Sequence, residues 1–162
     1  RQSLIEHSVA DCDLTVVSIY VNPTQFDQPA DLKIYPRTLE TDVSLAGAMG
    51  ADLVFAPTWG EMYPDEFRYQ VDEGEFSREL CGAHRDGHFT GVLTVVMKLL
   101  NIVRPKRAYF GEKDYQQFKL IMDMVSAFHM DVEIEPRATV REEDGLALSS
   151  RNLNLSCEAP VS

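Results

Sequence analysis

The sequence has few basic residues for its size. Its 162 residues include 15 Lys and Arg against 26 Asp and Glu, which gives a formal net charge of −11 at pH 7. A general nucleic-acid-binding protein needs a broad basic face, and an anionic membrane surface repels a chain with this charge. We therefore expect neither nucleic acid nor a membrane as a partner. Any phosphate ligand must be bound by a local cluster of basic side chains.

Cysteines and long apolar runs are also scarce. The three cysteines, Cys12, Cys81 and Cys157, form no CxxC pair, and an odd number at such wide spacing is not a disulfide framework. This usage favours reduced thiols in a cytoplasmic protein. The longest nearly continuous apolar run, residues 92–103, is interrupted by three polar residues and is too short to span a bilayer.

Several catalytic motifs are absent as well. The sequence has no GxSxG motif and no GxxxxGK[ST] P-loop, so neither an α/β-hydrolase nor a P-loop nucleotide site is indicated. His84 and His88 are four residues apart, but Gly87 and Gly91 predict a loop rather than the helix that an HExxH zinc site requires. We interpret this segment as a structural or substrate-facing loop.

Predicted strands and helices alternate along the chain. Runs of β-branched and apolar residues predict strands at 14–21, 52–57, 107–111 and 131–135. Apolar spacing and helix-ending residues predict helices at 39–49, 91–103 and 114–129. A strand at 69–72, a short helix after Ser77 and a hairpin at 139–148 complete the prediction. The alternation predicts an α/β fold with a mainly parallel sheet, in which ligands bind beyond the carboxyl ends of the strands.

Polar side chains follow two of these strands. Gln25 lies in the turn after the first strand and offers two donors and an acceptor. After the strand at 107–111, Gly111 permits close approach of a ligand, Lys113 adds a positive charge, and Gln117 follows one turn later. The start of the following helix would direct free N–H groups at the same place. The alternatives are a solvated turn at Gln25 and an ordinary capped helix with a surface lysine.

A third polar segment follows the predicted hairpin. Ser149 and Ser150 stand next to Arg151, and two hydroxyls beside a guanidinium suit phosphate oxygens. The alternative is a turn or a helix cap. Because the three segments all follow predicted strands or the hairpin, a single crevice could collect them.

Five segments together resemble one known family. The sequences VNPTQF at 21–26, YPRT at 35–38, RDGHFTG at 85–91, FGEKDYQQ at 110–117 and DGLALSSRN at 144–152 are similar to those of pantothenate synthetase (pantoate–β-alanine ligase). The resemblance runs in order from about Arg1 to Ser156, and the last two motifs together are highly specific.

The resemblance implies an ATP-dependent enzyme that joins pantoate to β-alanine through a pantoyl adenylate and releases AMP and pyrophosphate. It implies a Rossmann-like nucleotidyltransferase fold whose sheet is incomplete at the N-terminus. Residues 1–152 would form the nucleotide- and pantoate-binding domain, and residues 153–162 would begin a smaller C-terminal domain. The family also implies a cytoplasmic homodimer.

The resemblance also assigns site residues. The ATP-binding set would be Gly111, Glu112, Lys113, Asp114, Val140, Leu148, Ser149, Ser150 and Arg151. Within that set, the catalytic residues would be Lys113, Ser149, Ser150 and Arg151, because their charges and hydroxyls could stabilise charge that builds on the phosphates. The substrate-binding residues would be Gln25, Gln117 and Arg85, with Gln25 also meeting β-alanine. Asp42 is a possible Mg²⁺ contact.

The sequence departs from the family pattern in several places. It has no copy of the family's PTMG…HxGH segment, whose histidines bind the triphosphate, and it begins with Arg1. We therefore expect an excerpt of a longer protein. Asp86 stands where the family commonly has Pro, and Leu45 near the expected metal position cannot ligate. The alternatives are a noncatalytic Rossmann-type binding module and another adenylate-forming or nucleotidyl transferase.

Overall fold

The structure, a computed structural model, describes residues 2–35 and 38–139. The helices are α1 Gln2–Asp11, α2 Pro29–Ile34, α3 Leu39–Ala48, α4 Trp59–Met62, α5 His88–Val103 and α6 Tyr115–Ala127. The strands are β1 Val16–Ser18, β2 Leu53–Phe55, β3 Arg107–Gly111 and β4 Glu133–Arg137. Single 3₁₀ turns lie at Pro23–Gln25, Phe76–Arg78, Gly82–His84 and Glu112–Asp114. The hairpin predicted at 139–148 falls almost wholly outside the described residues.

The described strands form two parallel pairs. Strand β1 pairs with β2, with Val17 opposite Val54, and β3 pairs with β4, with Tyr109 opposite Glu135. A cleft of about 1470 Å³ is lined by residues of both β1 and β3. The predicted α/β class with parallel strands is therefore confirmed.

The core forms where α5 and α6 pack together. Its buried side chains on these helices are Phe89, Val92, Leu93, Val95, Val96, Leu100, Leu120, Ile121, Met124 and Val125. Each fully buried side chain of this kind contributes roughly 1.5–3 kcal/mol relative to exposure. Ala108 and Phe110 of β3 and Ile134 of β4 pack against the same cluster. The core therefore holds the carboxyl end of β3 against the two long helices.

The ends of α5 correct the loop predicted at 84–91. The helix begins at His88, directly after Gly87 with φ of 72°, so Gly91 lies within the helix. In this first turn His88, Phe89 and Gly91 are buried, and this packing outweighs the low helix propensity of glycine. At the other end, Arg104 adopts φ of 49° and its N–H bonds to the carbonyl of Leu100, just before Pro105.

Other local predictions were also wrong. Residues 69–72 form no strand, because the N–H of Val71 bonds to the Thr94 hydroxyl of α5 at 2.9 Å rather than to another strand. The short helix predicted after Ser77 takes the form of two 3₁₀ turns, Phe76–Arg78 and Gly82–His84. On α6, Met122 is 38% exposed, whereas Met124 is buried. In the described residues, no helix is both long and apolar enough to cross a membrane.

Candidate functional site

The turn after β1 is held by a buried asparagine. Asn22 is 2% exposed, and its Nδ2 donates to the carbonyl of Gly91 at 3.1 Å and to Oε1 of Gln25 at 3.3 Å. Its Oδ1 accepts from the hydroxyls of Tyr63 at 2.9 Å and Thr24 at 3.0 Å. Because Oε1 of Gln25 faces a donor, the Gln25 NH₂ group is the end left for a ligand.

Helix α5 touches this turn through a glycine. A Cβ on Gly91 would lie 2.4 Å from the carbonyl oxygen and 2.6 Å from the carbonyl carbon of Thr24. Both are backbone atoms, so they cannot move aside as the end of a flexible side chain can. The absence of a side chain at Gly91 therefore sets how closely α5 approaches the residues that carry Gln25.

Tyr63 is the buried aromatic residue whose hydroxyl donates to Asn22. It is 1% exposed, and its ring lies 4.5 Å from the ring of Trp59 and 5.4 Å from that of Phe67, measured between centroids. The Lys98 ammonium lies 4.7 Å from the same ring centroid. Burial raises the pKa of Tyr63, so its hydroxyl stays protonated and can donate to Asn22.

Arg85 is held near Gln25 by two contacts. It forms an ion pair with Asp27 and contacts His88, which in turn contacts Gln25. Its Nε is 3.4 Å from Oδ1 of Asp27, and its Nη1 is 3.1 Å from Nε2 of His88. Nδ1 of His88 lies 2.6 Å from the carbonyl oxygen of Gln25. The pKa of Asp27 is lowered, first by a hydrogen bond from its own backbone N–H and also by Arg85. The side chain of Arg85 is 30% exposed, so a ligand can reach it.

The turn after β3 presents one basic and two acidic side chains. Glu112, Lys113 and Asp114 are exposed on a 3₁₀ turn, and α6 begins at Tyr115, one residue later than predicted. Gln117 is half-buried in the first turn of α6. The turn's own formal charge is −1, so an anion here would depend on Lys113 and on the N–H groups at the start of α6.

Gln116, beside Gln117, is a buried structural residue that the sequence analysis missed. Its Nε2 donates to the carbonyls of Phe76 and Glu79, both at 2.8 Å, and its Oε1 accepts from the N–H of Cys81 at 3.0 Å. This amide ties α6 to the segment that leads into α5. No motif signals it, because its partners are 35 to 40 residues away.

Asp42 lines the same cleft as Gln25. Its Oδ2 accepts from the Thr38 hydroxyl at 3.3 Å, and Leu45 lies on the cleft wall one turn further along α3. Among the described residues, no group of three or more His, Cys, Asp or Glu side chains could hold a metal ion. A single carboxylate such as that of Asp42 could supply at most one protein ligand to a Mg²⁺ ion.

The structure brings some of the predicted site residues together. Gln25 and Asp42 share the cleft, and Arg85 lies beside Gln25. The described residues that line this cleft do not include Gln117 or the exposed turn 112–114. The remaining predicted residues, Val140, Leu148, Ser149, Ser150 and Arg151, lie outside the described residues. Asn22, Tyr63 and His88 were missed as supports of Gln25. Tyr63 bonds to Asn22 across 41 positions and His88 to Gln25 across 63, whereas Asn22 is only three residues from Gln25 and carries no motif that marks its role.

Comparisons with known proteins agree on one family. A sequence model of the pantoate-beta-alanine ligase family matches residues 1–160. The chain is 57% identical over 158 residues to pantothenate synthetase of Bdellovibrio bacteriovorus, and 55% identical over 156 residues to that of Thermosipho africanus. It covers 63% and 56% of those proteins, so it spans less than two thirds of the relatives that it matches.

Solved structures give the same result. The crystal structure of the Thermus thermophilus enzyme superposes with a TM-score of 0.93 at 49% identity, covering 97% of this chain and 57% of that one. A Francisella tularensis pantoate-beta-alanine ligase complexed with beta-gamma ATP and beta-alanine gives a TM-score of 0.92 at 42% identity, covering 96% of this chain and 60% of that one. The chain therefore belongs to the pantoate–β-alanine ligase family.

Proposed function

We propose that the protein condenses pantoate with β-alanine at the expense of ATP and forms pantothenate, AMP and pyrophosphate. The observation that carries the proposal is the family match over residues 1–160. Relatives that are 57% and 55% identical are pantothenate synthetases, and the related Francisella tularensis ligase was crystallised with beta-gamma ATP and beta-alanine.

The reaction has two steps. A carboxylate oxygen of pantoate attacks the α-phosphorus of ATP, the bond from that phosphorus to the bridging oxygen breaks, and pyrophosphate leaves. The β-alanine amine then attacks the acyl carbonyl of pantoyl adenylate, AMP leaves with the bond electrons, and the amine gives up a proton. Both steps build negative charge on phosphate oxygens, which hydrogen-bond donors and cations stabilise.

Pantoate would be bound by Gln25 and Gln117, and Gln25 would also meet β-alanine. The fixed amide of Gln25 supports this role, because its Oε1 is engaged by Asn22 and its NH₂ group remains to donate to a carboxylate or hydroxyl. Arg85 would supply positive charge near the acid, since its partly exposed guanidinium is held beside Gln25.

ATP would be bound by the turn after β3 and by residues beyond the described part of the chain. Gly111, Glu112, Lys113 and Asp114 belong to that turn, and the further residues are Val140, Leu148, Ser149, Ser150 and Arg151. Lys113 with Ser149, Ser150 and Arg151 would stabilise phosphate charge. Mg²⁺, when bound, would offset charge on the triphosphate, and Asp42 would offer it one carboxylate.

The family resemblance also supports a cytoplasmic homodimer, with residues 1–152 as the nucleotide- and pantoate-binding domain and 153–162 as the start of a C-terminal domain. The purified full-length protein tests the function. Incubation with ATP, pantoate and β-alanine should yield pantothenate, AMP and pyrophosphate in equal amounts, and omission of pantoate should abolish all three. Formation of ADP and phosphate would indicate a different ligase. Nucleotide binding without any turnover would favour a noncatalytic module.

A further inference from the structure

His88 is a buried titratable residue that the proposed chemistry does not use. It is the first residue of α5, it is 7% exposed, and both ring nitrogens have partners. Nδ1 lies 2.6 Å from the main-chain carbonyl oxygen of Gln25, and Nε2 lies 3.1 Å from Nη1 of Arg85. The imidazole thus stands between two of the residues proposed to bind the acid substrate.

The partners decide the protonation state of the ring. A carbonyl oxygen only accepts, so Nδ1 carries the hydrogen, and a guanidinium only donates, so Nε2 keeps its lone pair. Protonation would set an Nε2–H against the N–H groups of Arg85. Burial is the largest cause that lowers the pKa of His88, and Arg85 lowers it further; the Gln25 carbonyl and the carboxylates of Asp27 and Asp114 act in the opposite direction.

The imidazole is one of several contacts that fix the turn Pro23–Gln25. Asn22 holds the side-chain Oε1 of Gln25, and Gly91 lets α5 contact Thr24. His88 holds the main-chain carbonyl of the same glutamine. Together they leave the Gln25 Nε2 as a donor for which no described residue provides an acceptor.

The same ring orients Arg85. The Nε and Nη2 atoms of Arg85 lie 3.4 and 3.5 Å from Oδ1 of Asp27, which are long contacts. The 3.1 Å contact from Nη1 to His88 is the shortest of the three. Without it, a side chain that is 30% exposed would be free to leave Asp27.

We propose that His88 is a positioning residue: as a neutral imidazole it donates from Nδ1 to the Gln25 carbonyl and accepts on Nε2 from Arg85, and so fixes both groups for the acid substrate. His88 touches no substrate in this arrangement, so its removal acts on pantoate affinity more than on turnover or on ATP. The inference rests on the proposed function, in which Gln25 and Arg85 bind pantoate.

The experiment compares three variants of the full-length protein with the wild type. His88→Ala removes both hydrogen bonds and should raise the KM for pantoate by about tenfold, with the KM for ATP changed by less than about twofold. His88→Asn can place a side-chain NH₂ near the position of Nδ1 and should recover most of the pantoate affinity. His84→Ala, in an exposed residue of the preceding 3₁₀ turn, is the matched control and should resemble the wild type.

The pH dependence of the KM for pantoate distinguishes a positioning role of His88 from a purely structural one. As the pH falls from about 8 to about 5, protonation of His88 should raise the wild-type KM for pantoate. The His88→Asn variant lacks the titrating ring and should show a flat profile over the same range. An unchanged pantoate KM in His88→Ala, equal losses for ATP and pantoate, or a wild-type profile in His88→Asn would each overturn the proposal.

Failure of the proposed function gives a different result. A wild-type protein that releases no pyrophosphate on addition of pantoate would overturn the function and, with it, the role of His88. If the wild type turns over normally and His88→Ala has the same KM for pantoate, only the role of His88 is overturned. If His88→Ala does not fold, the pH dependence of the pantoate KM in His88→Asn tests the proposal by itself. Nitrogen NMR of the ring adds a check, since a hydrogen on Nε2 instead of Nδ1 would contradict the assignment.

Discussion

Gln116 and Gln117 are adjacent in sequence and differ in environment. The amide of Gln116 is buried and satisfies three backbone groups, whereas Gln117 is half-buried beside the turn after β3. We expect Gln116→Ala to lower the free energy of unfolding by about 1–3 kcal/mol, because backbone groups lose their partners. Gln117→Ala should leave that free energy nearly unchanged and weaken pantoate binding. Urea denaturation and pantoate titration of both variants test the contrast, and a stability loss in Gln117→Ala that exceeds the loss in Gln116→Ala would contradict it.

Lys98 and Asp65 form an ion pair with a consequence for acid stability. Nζ of Lys98 lies 2.6 Å from Oδ1 of Asp65, and this hydrogen bond, with one from the N–H of Tyr69, lowers the pKa of Asp65 to about 2. The folded pKa is below the unfolded one, so the pair stabilises the fold above about pH 4 and that stabilisation is lost as the pH falls towards about 2.

The stability difference between the wild type and Asp65→Asn should therefore shrink as the pH falls from about 4 to about 2. Urea midpoints measured at several pH values in this window provide the test. Asp123→Asn is the control, because Asp123 pairs with Lys119 on the exposed face of α6, and it should change stability by less than about 0.5 kcal/mol. A pH-independent difference for Asp65→Asn would contradict the account.

At the scale of elements, the contact between α5 and the turn Pro23–Gln25 depends on Gly91. Gly91→Ala places a Cβ 2.4 Å from the Thr24 carbonyl oxygen, so we expect a loss of about 1–3 kcal/mol in unfolding free energy from overpacking. Displacement of Gln25 should also raise the KM for pantoate. Gly47→Ala is the matched control, because Gly47 is likewise inside a helix but has no atom within 4 Å of its Cβ position.

Gly47→Ala should stabilise the fold by about 0.5–1 kcal/mol through helix propensity alone. Denaturant unfolding of both variants and pantoate kinetics of Gly91→Ala provide the measurements. Equal stabilisation by the two alanines would mean that α5 does not approach the turn as closely as the structure has it.

Lys113, just before the start of α6, is expected to act in adenylate formation. Lys113 lies on the turn directly before the helix, and the proposed function assigns it to the phosphates, so Lys113→Ala should slow pyrophosphate release by about a hundredfold. It should affect amide formation from preformed pantoyl adenylate much less. Lys119→Ala, on the exposed face of the same helix, is the control. Equal losses in the two steps for Lys113→Ala would contradict the assignment.

The elements show what could be predicted from sequence. Apolar spacing, segment length and helix-ending residues were enough for the helices at 39–49, 91–103 and 114–129, which match α3, α5 and α6 to within three residues at each end. The strand at 14–21 shortened to Val16–Ser18, because strand length depends on a pairing partner that sequence does not reveal. Helix α1, with no buried residue, left no strong apolar pattern to detect.

Only part of the candidate site could be predicted from the sequence. Gln25 could be proposed from its turn and from the resemblance, since both are local in sequence. Its supports could not, because Asn22 reaches Gly91 across 69 positions and Tyr63 across 41. The assignments of Val140, Leu148 and 149–151 lie outside the described residues and remain predictions.

Considered as a whole, the chain is acidic, whereas the nucleotide of the proposed reaction is an anion. The formal charge of −11 on these 162 residues offers no long-range attraction for ATP, so under the proposed function binding would rest on a few local donors and on a cation that arrives with the nucleotide. The turn that carries Gln25 follows β1 and lines the gap between the two parallel strand pairs. The architecture thus brings the proposed acid site to the carboxyl end of β1.

The proposed function requires that the carboxylate of pantoate is activated by adenylation. The most direct measurement uses pantoate labelled with ¹⁸O in its carboxylate, together with ATP, β-alanine and the full-length protein, and determines the mass of the AMP formed. Attack of the carboxylate on the α-phosphorus predicts AMP that carries one ¹⁸O atom, with unlabelled pyrophosphate. Unlabelled AMP, or label in inorganic phosphate, would contradict the account.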